Sequence, residues 1–301
     1  MTSPFLRVST IAILLAFVGC SSPGRHTAGH GKVSTDGPEI GSVRAEDGVR
    51  IAYSSEGHGE PAIVFIHGWT CDRTHWRFQV PEFRKSHRVI AIDLPGHGAS
   101  GADRNAWSID GLGSDVAAVV RGLKLDQVVL VGHSMGGPVA LAAAPRLRGI
   151  LRGIVAVDSV HNVEFTMPAE TSDRFVKRFE HDFEGAWKRF MSGFFADPGS
   201  EILKSILEKA GGVDRRAAIE LLADYNRFDW KSALAAAGVP VRAINAAKPF
   251  RTEVKINRKY GDFDAVLISD VGHFLMLEKP VDFNRHLRMM IEQLRENQGT
   301  R

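Results

Sequence analysis

The sequence has few cysteines, no apolar run long enough for a membrane span, and little net charge, and each shortage excludes a class of protein. Two cysteines in 301 residues leave stability to packing. The apolar stretch Ile11–Val18 is too short to cross a bilayer as a helix. The formal net charge is only +3, and the basic residues are scattered among acidic ones, so we expect no nucleic-acid partner.

Cofactor motifs are also missing. The sequence contains no phosphate-binding glycine loop, no dinucleotide fingerprint and no clustered metal-ligand set in its folded part. His26 and His30 stand in a polar tail without cysteine or carboxylate support, and we interpret them as solvated. We therefore expect neither a cofactor nor a metal. With 44% hydrophobic and 24% charged residues, the chain has the composition of one large globular domain.

The N-terminal region differs in composition from the rest of the chain. Residues 1–20 combine one positive charge, a short apolar stretch and a small residue before Cys20, which is the pattern of an export signal. Cys20 resembles the lipidated cysteine of bacterial lipoproteins, although Phe17 stands where leucine is usual. We expect export and lipid anchoring to the cell envelope, at the outer membrane in a Gram-negative cell. The alternatives are an ordinary signal peptide cut nearby and an uncleaved anchor.

The expected lipidation of Cys20 would leave Cys71 as the one free thiol, so the mature chain would have no intramolecular disulfide. Residues 21–40 are rich in glycine, serine, threonine and proline and predict a flexible tether that holds the folded part away from a membrane.

After the tether, strand-like and helix-like segments alternate. A hairpin is predicted at 42–54, and continuous apolar runs predict strands at 62–66, 88–92, 128–131, 150–157, 239–244 and 265–268. Helices are predicted at 72–84, 108–122 and 280–295, and another after residue 134. Buried strands separated by helices indicate an α/β fold, with a mostly parallel sheet covered by helices on both faces.

The alternation stops between residues 161 and 237. Aromatic residues recur there every three to four positions with charges between them, which indicates amphipathic helices. We interpret 161–237 as a helical cap inserted between two core segments, 41–160 and 238–301.

A serine lies where a strand is predicted to turn sharply into a helix. Residues 132–137 read Gly-His-Ser-Met-Gly-Gly, and they follow the apolar run that ends at Val131. Glycines on either side of Ser134 permit the strained turn that leaves a hydroxyl projecting from the sheet edge. In a chain with 30 glycines the pattern alone can arise by chance. Its position between a strand and a helix favours a nucleophile elbow.

Serine is a poor nucleophile at its free pKa and needs a general base within hydrogen-bond reach. His273 is the candidate, because it lies between the last predicted strand and the last predicted helix. A histidine there can take the hydroxyl proton and return it to the leaving group.

Four motifs in order resemble those of the α/β-hydrolase superfamily: 67–69 (His-Gly-Trp), 93–100 (Asp-Leu-Pro-Gly-His-Gly-Ala-Ser), the elbow, and 272–274 (Gly-His-Phe). The resemblance covers about residues 42–297. It implies that the backbone N–H groups of Trp69 and Met135 form an oxyanion hole.

The third member of the triad departs from the family's usual pattern. Most relatives place an acid in the loop after the strand at 239–244, but this loop contains Asn245 and has no carboxylate before Glu253. Some relatives take the acid from the end of the preceding strand, where Asp158 stands. We assign Asp158 as the triad acid by this resemblance. The alternatives are that Asp158 only orders its loop, that Asp270 acts instead, or that Asn245 orients the histidine without charge.

A serine nucleophile predicts hydrolysis of an ester-type bond, namely a carboxylic ester, thioester or lactone, through an acyl-enzyme. It argues against epoxide hydrolase and haloalkane dehalogenase chemistry, which needs a carboxylate at the elbow. The aromatic cap favours a small to medium, partly apolar substrate, although core packing explains the same residues. One alternative is a serine hydrolase of C–C bonds. An alternative of another class is a non-catalytic surface lipoprotein that serves as a binding module.

Overall fold

The computed structural model describes residues 37–195, 197, 199–208 and 212–296. Residues 1–36, with the predicted export signal, Cys20 and most of the predicted tether, lie outside the described residues. Within the described ranges, no helix has the length and apolar character needed to cross a membrane.

The strands are β1 (Glu39–Arg44), β2 (Arg50–Glu56), β3 (Ala62–Ile66), β4 (Val89–Ile92), β5 (Val128–His133), β6 (Leu151–Val157), β7 (Val241–Ala246) and β8 (Phe263–Ile268). They form one sheet in the order β1-β2-β4-β3-β5-β6-β7-β8. β1 pairs antiparallel with β2, and β2 pairs antiparallel with β4. The other neighbours are parallel.

The helices are α1 (Val80–Phe83), α2 (Ile109–Gly122), α3 (Gly136–Ala143), α4 (Ala169–His181), α5 (Phe183–Ser192), α6 (Glu201–Glu208), α7 (Arg215–Asn226), α8 (Trp230–Ala236), α9 (Val254–Asn257), α10 (Leu275–Glu278) and α11 (Pro280–Glu296). The predicted α/β fold with a mostly parallel sheet is confirmed. The central strands are the continuous apolar segments of the sequence, and every residue of β3, β4 and β5 is buried.

Two predicted boundaries differ from the structure. β1 begins at Glu39, inside the predicted tether, because backbone pairing of Glu39 and Ile40 with β2 extends the hairpin whatever their side chains are. The helix predicted at 72–84 is a 3₁₀ turn (Arg73–Trp76) followed by α1. Pro81 lacks the N–H that a continuous helix needs, so it lies in the first turn of a new helix instead.

The helices α4 to α8 lie between β6 and β7 in the chain. Their aromatic side chains pack against the loop after β3. The Trp69 ring makes edge contacts with the rings of Phe179, Phe183 and Phe190. This packing brings the helices against the ends of the central strands, where the polar motifs of the sequence gather.

Candidate active site

Ser134 lies on a tight turn between β5 and α3. Its φ of 53° is in the left-handed region, which is strained for a residue with a side chain. A Cβ at Gly132 would lie 2.1 Å from the Gly136 carbonyl oxygen, and a Cβ at Gly136 would lie 2.5 Å from the Ile66 carbonyl oxygen. The strand and the helix can therefore meet at Ser134 only if both flanking positions are glycine.

Asp158 and His273 are 115 residues apart and in direct contact. The Asp158 Oδ2 atom lies 2.6 Å from His273 Nδ1, and both side chains are largely buried. The other carboxylate oxygen accepts a hydrogen bond of 2.9 Å from the Ala246 N–H. With Nδ1–H donating to Asp158, the Nε2 atom of His273 has the lone pair that a general base needs.

The backbone of His273 is held from two sides. Its N–H donates to the Phe194 carbonyl oxygen at 3.1 Å. Its carbonyl oxygen lies 3.0 Å from Nε2 of His133, the residue before Ser134. Burial, and then the neighbouring His273, hold the pKa of His133 well below its usual value, so His133 is neutral and donates through Nε2–H.

Glu278 supports the same loop. Its carboxylate accepts hydrogen bonds from the N–H groups of Gly272 (2.8 Å) and Phe274 (3.1 Å), on either side of His273. Burial raises the pKa of Glu278. Sequence reasoning missed Glu278, His133 and Phe194. Only Glu278 is close to His273 in the sequence, five residues after it, and could have been found from a local pattern. His133 and Phe194 reach His273 from distant segments of the chain.

The loop after β3 passes directly over the elbow. A Cβ at Gly68 would lie 3.1 Å from Ser134 Cβ and 2.9 Å from His133 Nδ1, so this position requires glycine. In the described part of the chain, the backbone N–H groups of Trp69 and Met135 donate no hydrogen bond. Met135 directly follows Ser134 in the chain, and Trp69 directly follows Gly68, the residue that packs on Ser134.

His67 shapes the loop and has no nitrogen left to act as a base. Its Nδ1 lies 2.8 Å from the Gly68 carbonyl oxygen, and its Nε2 accepts from the Leu94 N–H at 2.9 Å. Burial lowers the pKa of His67, so the neutral form is retained. His67 therefore ties the loop after β3 to the segment after β4.

Asn245 and Asp270, the two other candidates for a partner of the histidine, have different surroundings. Asn245 is fully buried, and its Oδ1 atom accepts from the Ser159 N–H at 3.1 Å. Its Nδ2 atom donates to the Ser159 carbonyl oxygen (3.1 Å) and to Thr252 Oγ1 (2.9 Å). Asp270 is exposed to solvent.

A series of aromatic ring contacts connects His273 with Trp69. The Phe194 ring stacks on the His273 imidazole with centroids 4.3 Å apart, and Phe190 contacts Phe194 at 4.6 Å. Phe190 also reaches Trp69, with centroids 5.7 Å apart. The partly exposed rings of Phe190 and Phe194 form an aromatic wall beside His273. No group of three or more potential metal ligands is found among the described residues.

Residues 63–286 match the model of the Alpha/beta hydrolase family. Because the match covers most of the chain, the protein belongs to this family, and the predicted membership is confirmed.

Individual relatives differ in what their names describe. The chain is 27% identical over 260 residues to the dihydrolipoyllysine-residue acetyltransferase component of an acetoin cleaving system from Pseudomonas putida, an alignment that covers 81% of this chain and 67% of the relative. The corresponding protein of Cupriavidus necator is covered over 66% of its length. The chain thus spans about two thirds of these curated relatives.

Solved structures resemble this one over nearly their whole length. An esterase from Exiguobacterium antarcticum matches with a TM-score of 0.76 and 20% identity, covering 83% of this chain and 98% of that one. Est816, described as an N-acyl homoserine lactone degrading enzyme, matches with a TM-score of 0.70 and 28% identity, covering 82% and 99%. The esterase likeness shows the shared fold alone.

Proposed function

We propose that this protein is a serine hydrolase that cleaves carboxylic esters, thioesters or lactones through an acyl-enzyme. Ser134 is the nucleophile, His273 the general base and Asp158 the acid that orients the histidine. The observation that carries the proposal is the 2.6 Å contact between Asp158 and His273, together with the strained turn at Ser134. A structural aspartate would not need to face the imidazole nitrogen of a loop so distant in sequence.

The chemistry follows from this arrangement. Ser134 Oγ attacks the substrate carbonyl while His273 Nε2 takes the hydroxyl proton, and Asp158 stabilises the imidazolium that forms. The carbonyl oxygen becomes an oxyanion that the N–H groups of Trp69 and Met135 stabilise, each contributing about 2 to 4 kcal/mol on the usual scale. His273 then protonates the leaving group. Water, activated in turn by His273, hydrolyses the acyl-enzyme and restores Ser134.

The aromatic wall indicates what binds beside the nucleophile. Phe190 and Phe194 are partly exposed, and Phe194 stacks on His273, so both offer apolar surface near the reacting carbonyl. This favours a partly apolar acyl or alcohol group of small to medium size. The resemblance to Est816, whose description names lactone degradation, supports including lactones in the class.

Labelling with a serine-directed fluorophosphonate tests the nucleophile. We expect covalent modification at Ser134 and none in a folded Ser134→Ala variant. A folded wild-type protein that stays unlabelled would favour a non-catalytic binding module. A panel of p-nitrophenyl esters of graded acyl length, with a set of lactones, then measures substrate preference. The aromatic wall predicts higher kcat/KM for apolar acyl groups than for polar ones of equal length.

We also propose that the chain is exported and anchored through a lipid on Cys20, because Cys20 ends a short apolar segment with the composition of an export signal. The full chain expressed in a Gram-negative host should fractionate with membranes and incorporate labelled palmitate. The Cys20→Ser variant should lose the label. Equal labelling of both would contradict the anchor.

A further inference from the structure

The loop after β3 contains a turn whose shape does not suit its residues. The Cys71 N–H donates to the Gly68 carbonyl oxygen at 3.2 Å, which closes a turn with Trp69 and Thr70 at its centre. Thr70 has a φ of 57°. A positive φ at this position of a turn favours glycine, and a β-branched residue there is a genuine outlier. Contacts from elsewhere in the molecule must hold Thr70 in this conformation.

A chain of two hydrogen bonds supplies such contacts. Trp187, a buried residue of α5, donates through its indole N–H to Thr70 Oγ1 at 2.8 Å. The same hydroxyl donates its proton to the Trp69 carbonyl oxygen at 2.7 Å. Because a hydroxyl that accepts a hydrogen bond becomes a better donor, the two bonds strengthen each other in this partly buried setting.

A second indole attaches the turn to the helices between β6 and β7. Trp69 donates through Nε1 to the Ala218 carbonyl oxygen of α7 at 2.8 Å. The residue whose backbone N–H serves as an oxyanion donor in the proposed function is thus bound to α7 by its side chain. Its carbonyl group is bound to α5 through Thr70.

We propose that Trp187 is a positioning residue of the oxyanion hole: through the Thr70 hydroxyl it keeps the 68–71 turn in the form that directs the Trp69 N–H toward the oxyanion. The inference rests on the proposed function. It makes α5 a contributor to transition-state stabilisation without any contact between Trp187 and the substrate. Without the hydrogen-bond chain, Thr70 would favour a negative φ and the turn would change shape.

Substitutions at Thr70 separate the hydroxyl from the side-chain volume. Thr70→Val keeps the shape, removes the hydroxyl and leaves the Trp187 indole N–H unpaired. We expect kcat on a p-nitrophenyl ester to fall about 10- to 100-fold with little change in KM, less than the roughly 100- to 1000-fold loss when an oxyanion donor is removed outright. Thr70→Ser restores the hydroxyl and should recover most of the lost rate.

Substitution of the tryptophan tests the other end of the chain. Trp187→Phe keeps an aromatic ring but has no N–H donor, and kcat should fall about tenfold. Trp76 provides the matched control, because it is fully buried, stacks on Phe65 with centroids 4.6 Å apart, and has an indole N–H that bonds to no described residue. Trp76→Phe removes a buried indole of the same size and should leave kcat at the wild-type value. Thermal unfolding of each variant identifies losses that come from unfolding.

A double variant shows whether the two residues act through one contact. If they do, Trp187→Phe with Thr70→Val loses no more rate than Thr70→Val alone. Multiplicative losses in the double variant, wild-type kcat in Thr70→Val, or an equal loss in Thr70→Ser would each overturn the positioning role.

Fluorophosphonate labelling rates distinguish this failure from failure of the proposed function, since the reagent forms a tetrahedral adduct at serine. A labelled, active wild type with unaffected variants overturns the positioning role alone. A wild type that is neither labelled nor active overturns the proposed function and this inference together.

Discussion

The ends of β6 and β7 lie side by side in the sheet, and the polar residues there have different partners. Asp158 follows β6 and directs one carboxylate oxygen to His273. Asn245, near the end of β7, uses its amide for the backbone of Ser159 and for Thr252. The two strand ends are in contact, since the Asp158 N–H donates to the Ile244 carbonyl oxygen.

The difference shows that a carboxylate and an amide have separate roles at this edge of the sheet. A carboxylate is useful where a cation forms during a reaction, and Asp158 lies beside the imidazole that becomes charged in the proposed mechanism. Asn245 must satisfy both a donor and an acceptor of the buried backbone, which an amide can do and a carboxylate cannot. The amide at β7 thus holds the loop that carries the acid at the end of β6.

Asp158→Asn makes the strongest test of this comparison. The amide keeps the size of the side chain and an acceptor for Ala246 N–H, but it removes the charge opposite His273. We expect kcat to fall by about three to four orders of magnitude, as for a triad aspartate, while the protein stays folded. Steady-state ester kinetics and circular dichroism measure the two effects. Near-normal turnover in a folded variant would remove Asp158 from the triad.

The double variant that combines Asp158→Asn with Asn245→Asp tests whether a carboxylate at the end of β7 can replace the one at the end of β6. We expect less than a few-fold recovery of kcat, because the new carboxylate would be held by the Ser159 N–H and Thr252 hydroxyl and would face the Ser159 carbonyl oxygen. The measurement is kcat of the double variant against Asp158→Asn alone. Recovery of a hundredfold or more would show that the two strand ends are interchangeable.

Asn245→Leu should act mainly on stability. It leaves the buried Ser159 N–H without its partner and removes the contacts of the amide nitrogen with the Ser159 carbonyl oxygen, Thr252 Oγ1 and His161 Nδ1. The free energy of unfolding should therefore fall by about 2 to 4 kcal/mol. Urea denaturation measures the change. Asn105→Leu is the matched control at an exposed position and should change stability by less than about 0.5 kcal/mol. Equal effects of the two substitutions would argue against a supporting role for Asn245.

The smallest expected effect concerns His161, whose Nε2 lies 3.7 Å from Asp158 Oδ1. Burial is the first cause of its lowered pKa, so the folded state favours the neutral ring. The stability from this group is therefore present above the unfolded pKa near 6.5 and is lost as the pH falls through the lower folded pKa.

His161→Phe keeps a ring beside Phe250 and removes the titration. When the pH is lowered from 7.5 to 5.5, the unfolding free energy of the variant should decrease less than that of wild type. The difference between the two slopes should correspond to at most one proton taken up on unfolding. Urea denaturation across this range gives the slope. His67, His97 and His133 are also buried with lowered pKa values and cause part of the acid sensitivity in both proteins. Identical slopes would show that His161 does not titrate on unfolding in this range.

Most of the strained backbone conformations lie in loops that follow the C-terminal ends of the strands. Among the described residues, positive φ angles at positions other than glycine occur at Thr70, Ser134, Asp158, Val160, Asp270 and Lys124. All but Lys124 belong to the loops around the proposed triad and oxyanion hole. Such conformations persist where surrounding contacts enforce them, which fits a site whose geometry is fixed before substrate binds.

Sequence patterns predicted the parts of the molecule that depend on local chemistry. Apolar runs predicted the central strands, and the glycines around Ser134, between a predicted strand and a predicted helix, predicted the tight turn that they permit. The helix predicted at 72–84 was wrong in extent, because Pro81 cannot continue a helix from the preceding turn and the two parts are separate. His273 stood out because it lies between a strand and a helix near the C-terminus.

The sequence by itself determined the α/β alternation, the elbow and the position of the histidine loop, because backbone sterics and apolar periodicity act over a few residues. Only the tertiary structure decided which carboxylate faces His273, why Asn245 does not, and how His133, Phe194 and Trp187 hold the loops. Those contacts join segments more than 75 residues apart in the chain. Their partners depend on sheet order and helix packing, which no local pattern encodes.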